Sequence, residues 1–101
     1  MAKKALDATE ILDRLTGGDT ELREMIAEEA VNAQVARMIY EARTAAGLTQ
    51  KQLADMLGTH QSAIARLEDA DYEGHSLSML RRIAEALNQT LEVRFVPHRA
   101  A

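Results

Sequence analysis

The sequence predicts an all-α protein that ends in one β-strand, and three observations predict it. Apolar residues recur at i, i+3, i+4 and i+7 through most of the 101 residues, the period of helices with one buried face. Gly17, Gly18, Gly47 and Gly58 punctuate that pattern. Only Tyr40, Tyr72 and Phe95 are aromatic, so the core must be built from Leu, Ile, Val, Met and Ala, as in packed helices. The length suits one small domain plus a short appendage. A core of that size sits near the stability threshold, where a partner or a second copy helps.

Residues 7–15 place Ala8, Ile11, Leu12 and Leu15 on one helix face, and Thr16-Gly17-Gly18-Asp19 ends that helix. A longer pattern runs from Thr20 to about Ala46, capped by Asp19 or Thr20 and carrying Glu21 and Glu24 in its first turn. At roughly 40 Å it is long for a small domain, so a bend near Glu28–Asn32 is expected. Gly47 stops it. Thr49 caps a short helix over 50–57 with Leu53, Ala54 and Leu57 inward, and a third segment over 61–68 turns Ile64 and Leu67 inward. After a polar loop, Ser76 caps a helix to Leu87 that buries Leu77, Leu80, Ile83, Ala84 and Leu87. From Thr90 to Pro97 the period becomes two, with Leu91, Val93 and Phe95 alternating against Glu92 and Arg94. A lone strand cannot satisfy its backbone, so pairing with the same strand of a second copy is expected, giving a homodimer. The expected division is a helical extension over 1–34, a domain over 35–88 and a dimerisation strand and tail over 89–101.

Charge is unevenly placed. Residues 1–42 hold nine acids against five bases, whereas 43–82 and 83–101 are each balanced, so the net charge of −4 is N-terminal. That segment reads either as a solvated helix face or as a surface for a basic partner. There is no Cys, which removes disulfides and thiolate chemistry and suits a reducing cytoplasm. The first residues are too acidic for a signal peptide, and no apolar run approaches the ~18 residues of a membrane span. His60, His75 and His98 are scattered over a helix start, a loop and a tail, which argues against an enzyme, and no cofactor, metal or small-molecule substrate is expected. His75 and His98 read as surface residues.

The informative stretch is 48–68. Two short helices joined at Gly58 must cross steeply; Ala54 is small at the crossing, and Ile64 and Leu67 fill the angle. This is what a helix-turn-helix requires. A glutamine at the start of a groove-facing helix can bond adenine bidentately, and an arginine guanine, while helix N-termini offer N–H groups to phosphate. The rival reading of Gln61, Ser62 and Arg66 is an ordinary polar helix face. His60 reads as a phosphate contact or a cap.

Over roughly 35–88 the sequence resembles the Cro/CI-type (Xre-type) helix-turn-helix family of phage repressors and bacterial regulators. Leu48-Thr49-Gln50, Gly58 with Gln61-Ser62, Arg66-Leu67-Glu68 and the run from Ser76 through Leu87 carry the likeness. The resemblance implies a five-helix, lambda-repressor-like domain whose third helix enters the major groove of double-stranded operator DNA. It makes Gln61 and Ser62 base readers, Arg66 a base or phosphate contact, and Gln50 a phosphate-contacting helix start that buttresses Gln61. Lys51, Thr59, His60, Ala63 and Ala65 complete the expected DNA surface. It also implies a buried, structural ion pair between Arg43 and Glu68. Asp69, Asp71 and Glu73 depart from the basic or neutral loop of relatives, so weak nonspecific affinity is expected.

With the acidic arm, the end strand and the stretch from Asp69 to Leu80, the whole chain is also similar to HigA-type antitoxins. That likeness implies a cytoplasmic antitoxin that neutralises a basic RelE/HigB-like ribonuclease toxin and represses its own operon. Leu12, Leu15, Leu22 and Ile26 are then the apolar anchors of the arm. The alternative is a stand-alone phage-like repressor without a toxin.

Overall fold

A computed structural model describes residues 8–97, without the side chains of Ala8, Thr9 and Leu12. Five helices are formed among them: α1 (Ala8–Thr16), α2 (Thr20–Ala45), α3 (Gln50–Leu57), α4 (Gln61–Leu67) and α5 (Leu77–Ala86). Glu29–Val93 is one compact unit; α1 and the start of α2 belong to a second. The count of five is reached only with α1, so the unit from Glu29 to Val93 holds four helical segments where the family resemblance led us to expect five. No described helix is long and apolar enough to cross a membrane.

Each boundary has a local cause. Asp19 Oδ1 accepts from Leu22 N at 2.9 Å and starts α2, and Arg23 meets Asp13 at 3.2 Å across the turn. The expected bend near 28–32 is not formed; α2 is continuous for 26 residues. No Gly or Pro lies between Thr20 and Ala45, and six alanines occupy positions 27–45, so nothing interrupts the hydrogen-bond ladder. Thr49 and Gln52 exchange backbone and side-chain bonds at 2.8 and 3.0 Å, a capping box that opens α3.

Gly58 ends α3 in the left-handed region, φ 69°, which lets Thr59 N reach back to Ala54 O at 2.9 Å. A side chain there would strain the turn that sets the crossing of α3 and α4. Arg82 Nη2 adds a cap from a distance, donating to Leu57 O at 2.9 Å. Ser76 Oγ accepts from Met79 N at 3.1 Å and starts α5.

The core of the Glu29–Val93 unit is Ile39, Leu53, Ala54, Ile64, Leu67, Leu80, Ile83 and Leu87, with Leu53 and Ile64 wholly buried. Val35, Ala42, Leu48, Leu57, Tyr72 and Leu91 pack around it. Only the second half of α2 supplies buried residues, namely Ala36, Ile39 and Arg43. Leu22, Met25 and Val31, apolar residues of the helix that begins at Thr20, are exposed. Leu77, expected inward on α5, is 63% exposed. It is the first residue of the helix, a turn ahead of Leu80, where the inward face begins.

The expected end strand is not formed. Residues 90–97 have no regular secondary structure, and no strand is present among the described residues. The physical reason is that a strand exists through its ladder, and a single copy offers no second extended segment for pairing. Leu91 is half-buried against the core, while Val93 and Phe95 on the same alternation are exposed.

Candidate nucleic-acid interface

The geometry starts from a buried charge. Arg43 is 8% exposed and its guanidinium forks onto Glu68, Nε to Oε2 at 2.7 Å and Nη2 to Oε1 at 2.9 Å. Nη1 donates to Leu48 O at 2.7 Å, and the guanidinium lies 5.4 Å from the Tyr40 ring centroid. The Glu68 hydrogen bond raises the Arg43 pKa, against the opposing effect of burial. Arginine's charge is therefore secure at any ordinary pH, and the pair joins α2 to the C-terminal end of α4. This is the structural ion pair the family resemblance implies.

The same carboxylate reaches further. Glu68 Oε1 also accepts from Gln50 Nε2 at 3.1 Å, and Gln50 Oε1 accepts from Gln61 Nε2 at 3.2 Å. Gln50 opens α3, Gln61 opens α4 and Glu68 follows its last residue, so one side chain of α3 holds both ends of α4. The buttressing of Gln61 by Gln50 is present. The Gln50 side chain is half-buried with its amide engaged on both sides, so it is less available for a phosphate contact than the resemblance implies.

Around Gln61 the face of α4 divides by helical period. Gln61, Ser62, Ala65 and Arg66 are exposed, Ala63 is half-buried, and Ile64 and Leu67 are in the core. His60 caps α4 without a side-chain hydrogen bond and is exposed, and Thr59 is half-buried. Lys51 is exposed and paired with Asp55 at 3.2 Å. The outward set thus combines two amide or hydroxyl groups, one guanidinium and one methyl, the chemistry that reads base edges in a major groove.

The loop after α4 is built inward. His75 is half-buried, not a surface residue: its Nε2 lies 2.7 Å from Leu67 O, and its ring meets Tyr72 edge-on at 5.0 Å. A carbonyl only accepts, so Nε2 carries the proton and a last carbonyl of α4 is satisfied. Gly74 leaves room for the Tyr72 ring, whose hydroxyl donates to Gly74 O at 3.3 Å. His98 lies outside the described residues.

The remaining expected contacts fall elsewhere. Leu15 and Leu22 are exposed, Ile26 is half-buried, and the Leu12 side chain lies outside those described. Sequence reasoning missed the bond between Gln50 and Glu68 and the Arg82 cap. The first spans 18 residues and the second 25, and neither has a periodic signature.

A family model described as helix-turn-helix matches residues 39–93, just over half of the chain. No curated protein and no solved structure matches it. The matched segment contains the whole α3–α4 unit, the buried ion pair and the exposed face of α4. The chain therefore belongs to the helix-turn-helix family of Cro/CI (Xre) type, whose members are DNA-binding transcription regulators.

Proposed function

We propose that the protein is a sequence-specific operator-binding repressor that places α4 in the major groove as a homodimer. The observation that carries this reading is the exposed face of Gln61, Ser62, Ala65 and Arg66, with Gln61 held by Gln50 at 3.2 Å. Gln61 and Ser62 contact bases, Arg66 a base or phosphate, and Lys51, Thr59 and His60 flank them on the backbone side. Two copies suit a palindromic operator, each supplying one α4 to successive turns of one face. The exposed Val93 and Phe95, in register with half-buried Leu91, support pairing of the tails. A groove of about 880 Å³ lined by Val35, Met38, Ala42, Ala45 and Leu87 also lies away from α3 and α4. A gel shift with the DNA upstream of the chain's own reading frame tests this. A specific complex is expected, and Gln61→Ala should relax preference at one base pair.

The finer reading is an antitoxin that binds a basic RelE/HigB-like ribonuclease through its acidic N-terminal arm and represses the shared operon. Support comes from Ile11, Leu15, Leu22 and Met25, apolar and at least 40% exposed on α1 and the start of α2, interleaved with acids. A stand-alone repressor accounts for the DNA-reading face equally well. Co-expression with the neighbouring reading frame separates the two: co-purification of a small basic protein favours the antitoxin, and full repression with no such partner favours the lone repressor.

A further inference from the structure

Resting on the reading of α4 as the DNA-contacting helix, we infer that Glu68 sets which base Gln61 prefers, although Glu68 itself faces the protein interior. The argument follows donors and acceptors along three side chains. An ionised carboxylate can only accept. Glu68 Oε1 takes N–H groups from Arg43 at 2.9 Å and from Gln50 at 3.1 Å, so Gln50 must turn its NH₂ group toward Glu68. Its oxygen then points the other way. An amide oxygen also only accepts, so Gln61 must turn its own NH₂ toward Gln50, at 3.2 Å.

Gln61 is left with a free carbonyl oxygen and one free N–H. That acceptor–donor pair matches adenine, whose major-groove edge offers an N6 donor and an N7 acceptor. Guanine offers two acceptors there and would leave the oxygen of Gln61 facing O6. The ion pair buried between α2 and α4 is thus relayed outward as a choice between adenine and guanine. Glu68 and Gln50 act as positioning residues, because neither needs to touch the base.

The experiment measures the ratio of affinities for operators carrying adenine or guanine at the Gln61 contact, using the full chain and two variants. The parent is expected to favour adenine about tenfold or more. Gln50→Leu removes the relay and leaves the Arg43–Glu68 pair in place; the ratio should fall to within about threefold of one. In Glu68→Gln the carboxamide must turn its NH₂ toward either Arg43 Nη2 or Arg43 Nε, both donors, so its orientation is no longer dictated. Gln50 is then no longer forced into one polarity, and the ratio should fall toward one.

Because a ratio is read, a uniform loss of affinity from weakened packing does not imitate the result. A parent with no preference at any base pair would sink the interface reading itself. A parent that discriminates while both variants keep its ratio would overturn the relay alone. A relaxed Gln50→Leu beside a Glu68→Gln variant that keeps the parent's ratio would overturn the role of Glu68. If Glu68→Gln fails to fold, Gln50→Leu decides: an unchanged ratio overturns the relay and a relaxed one supports it.

Discussion

The face of α4 and the C-terminal tail make opposite use of exposed side chains. On α4 the exposed groups are polar apart from the Ala65 methyl, and the foremost of them, Gln61, is tied through Gln50 and Glu68 to a guanidinium on a residue only 8% exposed. On the tail the exposed groups are apolar: Val93 is 68% exposed and Phe95 is entirely so. The first region is organised before any partner arrives, which lowers the ordering cost of binding. The second leaves apolar surface in water, and another molecule can remove it. If α4 reads DNA and the tail pairs with a second copy, as proposed, one surface is organised in advance and the other is completed only on association, and they should fail differently when altered.

The largest expected effect is at the root of the reading surface. Glu68→Ala leaves the Arg43 charge buried without its partner, and chemical denaturation should show a loss of about 3–5 kcal/mol. If stability hardly moved, the ion pair would not be what anchors α4. Next comes Gln61→Ala, which should cost about 1–3 kcal/mol in operator binding and leave domain stability within about 0.5 kcal/mol. Titration of operator variants against the mutant checks both halves, since an unchanged base preference would remove Gln61 from the groove. Thr49→Ala takes the cap from α3, and a loss of about 1 kcal/mol in unfolding free energy is expected. The smallest effect on the domain belongs to the tail. Val93→Asp or Phe95→Asp should shift unfolding by no more than about 0.5 kcal/mol, while sedimentation should show loss of the proposed dimer and operator affinity should fall with it. A dimer that survives either change would take the tail out of the interface.

The comparison also explains what could be read without coordinates. The α3–α4 unit was legible because its determinants are local: a Thr49 cap, a Gly58 turn, and Leu53, Ala54, Ile64 and Leu67 at helical spacing. The bend expected in α2 was not found, since helix length in a small domain is a statistical expectation and the alanine-rich segment contains no breaker. His75 was misplaced because its burial depends on Leu67 O and Tyr72 closing over it, which hydropathy does not record.

By itself, the sequence determined not the number of helices in the domain, which is four segments where five were expected, but the order of the helices, the turn between α3 and α4, and the residues on the outward side of α4. Those features follow from periodicity and capping, which act over a few neighbours. Only the tertiary structure decided that Gln50 spends its amide on Glu68 and Gln61, that Arg82 closes the end of α3, and that residues 90–97 form no strand in a single copy. Hydrogen-bond polarity and strand pairing are settled by groups far apart along the chain, and they have no partner until the fold brings one.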